Sequence, residues 1–240
     1  MNALIVARRD LGAYLHGYAG YVIVSAVLFV TGVLFYVRGL GEGAQYSHRV
    51  LESFFENAGG VVMVASVLLT MRSLAEERQL GTEVLLVGSR ASAAQIVLGK
   101  WLAAMTVMAG TLALTAYMPG LIFVNGKVSV GHILVGYLGL LMLASGATAL
   151  GIASSSLFRA QLPAGILAGV ALVTLLLGWK LSDVVDAPFK DVLAYLAYWD
   201  KHFTAMQDGR LHVRDVVYYL SVTFVFLLGA TKVLEGRRWQ

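Results

Sequence analysis

Charge is what this sequence has least of. Only 13% of its 240 residues are Asp, Glu, Lys or Arg, against 58% that are hydrophobic, and the mean hydropathy is +0.76. A soluble globular chain carries roughly 25% charged residues, because its surface must face water. Lipid-facing surface has no such need, so the composition points to the bilayer as the main solvent. Cysteine is absent, which excludes disulfide scaffolds, thiol catalysis and thiolate metal sites. A phosphate cradle of the form G-x-x-x-x-G-K-[ST] is also missing. Neither Gly99-Lys100 nor Gly126-Lys127 has the upstream glycine or the following hydroxyl, so any use of ATP falls to another chain.

Other absences narrow the field further. His16, His48, His132, His202 and His212 lie far apart and form no H-x-x-x-H or H-E-x-x-H pair, so no metal site is expected. No apolar run carries an Asp, Glu, Lys or Arg near its middle, whereas proton-coupled transporters place ionisable groups there. No Ser/His/Asp arrangement falls at a shared depth for an intramembrane hydrolase. The net charge of +4 comes from Lys and Arg scattered between apolar runs. That pattern reads as membrane topology and not as a nucleic-acid surface.

What the sequence does have is a series of long apolar runs. A helix needs roughly 20 mostly apolar residues to cross a hydrocarbon core about 30 Å thick. Six candidates meet or approach this: residues 18–37, 53–71, 101–124, 132–153, 162–179 and 216–233. The expected fold class is thus all-α integral membrane, one domain over residues 1–240 with six spans. Arg8 and Arg9 precede the first run, but that run is too long for a signal-peptide core and no A-x-A-like site follows it, so an uncleaved span is expected. The second run is weak, since Ala58 to Met71 covers only part of a membrane before Arg72 stops it. Residues from Ser53 must contribute, with Phe54 and Phe55 expected at the interface and Glu56 near the headgroups. The third and fourth runs form a helical hairpin across Asn125-Gly126-Lys127, and Ser154 to Arg159 reads as the linker to the fifth.

Topology follows from counting basic residues. Placing the N-terminus, Arg72 to Lys100, the Arg159 linker and the C-terminal tail on one side collects Arg8, Arg9, Arg72, Arg78, Arg90, Lys100, Arg159, Lys232, Arg237 and Arg238 there, out of 18 in the chain. Five of the others (Lys180, Lys190, Lys201, Arg210, Arg214) cluster with acids in one long loop, which counts less in orientation. Both termini are therefore expected in the cytoplasm.

Two segments between spans have a pattern of their own. Residues 73–98 hold good helix formers, the cluster Glu76-Glu77-Arg78, then Gly81 and the Gly88-Ser89 break, suggesting a helix, a turn and a second helix. The loop after Trp179 contains Asp191 to Phe203, with Tyr195, Tyr198, Trp199 and Phe203 at near-helical spacing and an apolar stretch too short to span. It reads as an interfacial or re-entrant helix. The small-residue pair Gly165 and Gly169, and the stretch Ser145 to Ser154, allow close helix approach, either within the chain or between subunits.

The residues 70–103, TMRSLAEERQLGTEVLLVGSRASAAQIVLGKWLA, resemble the cytoplasmic loop of ABC-2 type permeases, whose pattern runs close to M-R-x-[LI]-[AS]-E-E-[RK]-x-x-G-T-x-E-x-L-L and ends in G-K. The opening ALIVARRDLGAYLHGYAGYVIV and the end from His202 to Trp239 are similar to the gliding-motility, GldF-like branch. The sequence departs from the pattern at Ser89, where a proline is usual, at Glu83, which directly follows Thr82, and at Ala197 to His202.

The resemblance implies a type-2 ABC exporter permease of six spans, working as a dimer of identical or related permeases in the bacterial inner membrane. A separate cytoplasmic ABC ATPase would bind the ATP and Mg, this chain holding no cofactor and catalysing no covalent step. The coupling segment would comprise Arg72, Leu74, Glu76, Glu77, Arg78, Gly81, Thr82, Glu83 and Arg90, with Gly165 and Gly169 in dimer or pathway packing. Residues 2–18 would form an amphipathic helix along the inner interface, with Arg8, Arg9 and Asp10 on its polar side. The implied activity is export of a substrate, with a periplasmic accessory protein as a further partner. The alternative is an ATP-driven assembly or motility module that translocates nothing.

Overall fold

The computed structural model describes residues 3–41, 46–82, 91–126, 128–182, 198–199 and 202–237. Among these residues every regular element is a helix: α1 (Ala3–His16), α2 (Tyr18–Leu34), α3 (Ser47–Thr70), α4 (Ala75–Gln79), α5 (Ala93–Thr115), α6 (Tyr117–Asn125), α7 (Val130–Leu157), α8 (Gln161–Ser182), α9 (Phe203–Gln207) and α10 (Val213–Arg237). Five stretches are long and apolar enough to cross a membrane: Tyr18–Gly39, Ser47–Gln79, Ala93–Val124, Val130–Leu157 and Val213–Arg237. With no water to satisfy backbone N–H and C=O groups in lipid, helices that close their own hydrogen bonds are what such a sequence must form. The chain is an all-α, multi-pass membrane protein. The run at 162–179 falls on α8, whose described apolar part, Gln161–Leu177, is shorter than the other five.

Helix ends follow local chemistry. Ser92 caps α5 in a capping box, its Oγ accepting from Gln95 N while the Gln95 side chain accepts from Ser92 N, which settles two of the donors a helix start leaves orphaned. The break between α5 and α6 falls at Ala116, where Pro119 lacks the N–H that would bond the carbonyl one turn back. Pro163 sits in the first turn of α8, where a missing donor costs nothing. At its far end α2 widens into a π-helical turn, Phe35–Leu40.

The helix α7 is the axis of the bundle, packing against α3, α5, α8, α9 and α10. Its middle, Ser145 to Ile152, is buried without interruption, and small side chains there let neighbours approach closely. A Cβ on Gly151 would run into Thr70 of α3, and one on Gly136 into the Phe55 ring. Hydroxyls in this apolar setting fold back on their own helix, as Thr148 Oγ1 does on Ala144 O at 2.7 Å and Thr111 Oγ1 on Val107 O at 2.8 Å. Others tie helices together: Ser145 Oγ meets Thr223 Oγ1 of α10 at 2.8 Å, and Trp101 Nε1 donates to Ser145 O at 3.2 Å.

Three expectations need correcting. Phe54 and Phe55 do not line the outside of the bundle: they are 2% and 0% exposed. The helix starts at Ser47, which carries them into the bundle, where Phe54 meets Phe35 edge-on at 5.9 Å and Phe55 meets Tyr137 at 5.7 Å. Ser154 to Leu157 is not linker but the last turn of α7, because Ser155 is buried as a hydrogen-bond acceptor for the chain after α3. The third run starts within α5, not at it, since the helix already begins at Ala93.

Substitution of glycines should sort by what a new methyl meets. Gly136→Ala, which presses on Phe55, is expected to lower stability by about 1–3 kcal/mol. Gly169→Ala, with nothing within 4 Å of its Cβ position, should be neutral or stabilising, measured by thermal unfolding of both purified proteins in one detergent.

Candidate functional site

Charged side chains that the sequence scatters over 90 positions converge at the Leu157 end of the bundle. The centre is Lys100, on α5, whose side chain is 2% exposed. Its ammonium donates to Asp10 Oδ2 of α1 and to the Ser73 carbonyl and forms an ion pair with Glu77 Oε1 of α4, each at 2.9 Å. An ammonium has three donors and no acceptor, and here it meets two hydrogen-bond acceptors and two carboxylate charges. Burying it unpaired would cost several kcal/mol.

The helix α1 can reach this point because Gly99 has no side chain. A Cβ there would lie 2.6 Å from Val6 Cβ and 2.7 Å from the Ala3 carbonyl, so α1 lies directly against the α5 backbone. Arg9 then grips both acids, its Nε and Nη2 donating to Asp10 Oδ1 at 2.8 and 2.7 Å and Nη2 also to Glu77 Oε1 at 2.6 Å. Burial works against the Arg9 charge, but the bonds to Asp10 and Glu77 and their charges outweigh it and hold the guanidinium above its ordinary pKa. Tyr14 closes the side of the cluster, donating to Leu69 O at 3.2 Å. Burial, reinforced by the Asp10 charge, raises its phenol pKa, so it stays a neutral donor. Between these elements lies a cavity of about 300 Å³ bordered by Arg9, Asp10, Tyr14, Glu76, Glu77 and Lys100.

The segment after α3 is fixed from its other side by α7. Ser155 Oγ accepts from Leu74 N and Ala75 N, both at 2.9 Å, supplying the cap that α4 lacks from its own N-cap residue, Leu74. Arg78, 9% exposed, donates to the Phe158 carbonyl at 3.1 Å, just beyond the end of α7. Arg72 and Glu76 form an i,i+4 pair at 2.9 Å. Thr82 Oγ1 donates to Glu77 O at 3.2 Å, and Gly81 takes a φ of 73°, the left-handed residue that ends α4. The inward bonds leave Gln79, Leu80, Gly81 and Thr82 facing out, with Leu80 69% exposed.

Of the sequence-derived coupling residues, then, Arg72, Leu74, Glu76, Glu77 and Arg78 come together, and Gly81 and Thr82 form the exposed tip. Glu83 and Arg90 lie outside the described residues. Gly165 packs within the chain against Met71, whereas Gly169 faces open space. Lys100, Asp10 and Ser155 were not singled out for this site. The G-K ending of the loop pattern carried the signal for Lys100.

No protein-family model matches the chain, and no curated protein matches it.

A second polar element lies at the opposite half of the bundle, in the aromatic segment singled out by its spacing, and its His202–Asp215 pair is what the sequence does not reveal. Tyr198 sits at mid-length of α7, its hydroxyl donating to Leu143 O at 2.8 Å and its amide to Leu175 O of α8 at 3.2 Å. From there the chain climbs through α9 to Gly209, which lies against His132 near the start of α7. The described part of this segment thus runs from mid-length of α7 to its start, with Tyr198 and Trp199 in a bend and helix only from Phe203; residues 191–197, 200 and 201 lie outside the description. Gly59 makes room for Trp199, and Gly146 for Tyr198. His202 Nδ1 meets Asp215 Oδ1 at 2.8 Å with both side chains 0% exposed, and its ring stacks on Tyr218 at 3.9 Å. An acid in the first turn of an apolar helix needs such a partner, and that was the available signal. Among the described residues no group of three possible metal ligands forms.

The two acids of α4 should separate sharply on substitution. Glu77→Ala leaves Lys100 and Arg9 sharing Asp10 as their one acidic partner here and is expected to cost about 2–3 kcal/mol. Glu76→Ala removes only a half-exposed i,i+4 pair and should cost about 0.5 kcal/mol. Thermal unfolding in detergent at low salt measures both.

Proposed function

We propose that this chain is the membrane subunit of an ATP-driven exporter of the ABC-2 type, with a separate cytoplasmic ATPase pushing on the segment from Arg72 to Thr82. The observation that carries the reading is the way this segment is held. The segment is tied inward to three helices, to α1 through the Glu77–Arg9 pair, to α5 through Glu77 and Lys100, and to α7 through Ser155 and the Phe158 carbonyl just beyond its end, while Leu80 is exposed. A displacement of the tip thus reaches the spans directly, which is what coupling to a soluble motor needs. The likeness of residues 70–103 to the ABC-2 loop supports the same reading. In this account α8 completes six spans, the Leu157 end faces the cytoplasm with both termini, and two permeases act together in a bacterial inner membrane.

The mechanism is one of two states. ATP closes the ATPase pair, the tips at Leu80 move with it, and the anchored segment carries α1, α5 and α7. The buried stretch from Tyr198, at mid-length of α7, to Gly209, near its start, would close the path in that half of the bundle. The permease makes and breaks no covalent bond. Substrate release and nucleotide turnover are linked through differential contacts in the two states alone.

Co-purification with ATPases encoded in the same genome tests this. Wild type is expected to retain one such ATPase, Leu80→Asp to lose it, and Glu77→Gln to keep it while losing the stimulation of ATP turnover by substrate or lipid. Failure of the wild-type chain to retain any ATPase would end the assignment.

A further inference from the structure

A lipid-facing groove of about 410 Å³ runs between α2 and α3. Val22, Ala26 and Val30 form one wall, at i,i+4 spacing, and Gly60, Val64 and Leu68 the other. Every side chain lining it is apolar. Gly60 is what gives the groove its depth at one end, since a Cβ there would meet nothing within 4 Å.

At that same end the helix α2 does something unusual. It widens into the π-helical turn Phe35–Leu40, a feature that costs hydrogen-bond geometry and frequently marks functional sites. Phe35 anchors the turn inward against Phe54. Arg38, exposed, reaches back to donate to Asn57 Oδ1 at 3.2 Å. Asn57 is in turn fixed by its own donation to Ser53 O at 2.6 Å. Asn57 is about one helical turn before Gly60, so its bond to Arg38 holds the guanidinium at the Gly60 end of the groove.

Arg38 makes no other bond among the described residues, and the neighbouring acid Glu56 does not pair with it. A guanidinium has five donors in a fork that fits a phosphate, and here only one is used. A cation with spare donors at the end of an apolar channel matches one molecular shape: an anionic head on a hydrocarbon chain. An apolar helix from a second copy would fill the channel but leave the guanidinium without an anion.

We propose that the groove between α2 and α3 binds an anionic phospholipid, with its phosphate on Arg38 and an acyl chain between Val22, Val30, Gly60 and Leu68. The lipid would wedge α2 against α3, and α2 is the least buried of the five spanning stretches. This site is independent of the ATPase reading.

Native mass spectrometry of the purified full chain tests it, with phosphatidylglycerol and phosphatidylcholine of identical chains added in equal amounts. Wild type is expected to retain phosphatidylglycerol preferentially. Arg38→Gln should reduce that preference about tenfold, the effect of losing one charge-assisted contact. Gly60→Leu, which fills the groove without touching the packed core, should reduce retention of both lipids. Wild-type retention in Gly60→Leu overturns the proposal, whether or not Arg38→Gln has an effect. If Gly60→Leu shifts the fraction of dimer and leaves lipid retention unchanged, the groove seats a second copy and the lipid assignment is wrong.

Discussion

The ammonium of Lys100 must be neutralised where it lies, and much of the Leu157 end of the structure is arranged around that need. Three oxygens surround it, and each comes from a different part of the chain: Asp10 from α1, Ser73 from the turn after α3, Glu77 from α4. Removing a partner from a buried charge is far more costly than removing an exposed pair. The cluster therefore does more than decorate the surface. It compels an amphipathic helix, an interhelical segment and a spanning helix to keep one relative position. Arg9 doubles the constraint by holding the same two acids from the solvent side.

At the other half of the molecule a similar logic works with shape instead of charge. The axis helix α7 presents Gly136, Gly139 and Gly146 to the aromatic side chains of Phe55, Phe203 and Tyr198. Large rings set on bare backbone produce close packing in a solvent where no hydrophobic effect drives helices together. The polar ends of those rings need acceptors, and carbonyls of α7 and of the aromatic segment itself provide them: Tyr198 bonds Leu143 O, and Tyr219 bonds Tyr198 O at 2.7 Å. His202 Nδ1 and Asp215 Oδ1 complete the set, 2.8 Å apart and fully buried. Charge at one end and aromatic packing at the other meet on the same helix, since α7 receives Arg78 and the N–H groups of Leu74 and Ala75 at Phe158 and Ser155 and Tyr198 at Gly146.

Legibility in the sequence tracked the length of the signal. Full-length apolar runs such as 18–37 are unambiguous because twenty uncharged residues have few other uses in a protein. The ends were less clear. Ser47 to Phe55 is too polar to read as membrane, yet it is helical because α3 faces α2, α5 and α7 and not lipid alone. The same reasoning hid Asp215 and Lys100, which stand at the edges of apolar runs and look like interface residues until tertiary partners are known. The acidic-basic cluster at 76–78 drew notice, but its direction did not. Glu77 and Arg78 face inward, and the most exposed large side chain nearby is Leu80, an apolar one that no charge pattern points to. Convergence over long separations, as between Asp10 and Lys100, leaves no periodic trace at all.

The account of function rests on α1, α4 and α5 moving as one body about Lys100. Hydrogen–deuterium exchange of the purified chain, wild type against Lys100→Met, examines that directly. Amide protection is expected to fall together over Ala3–His16 and Ala75–Gln79 in the variant, while α7 and α10 stay protected. Unchanged exchange in both segments, or a loss confined to the turns around residue 100, would contradict the claim that this one ammonium holds them together.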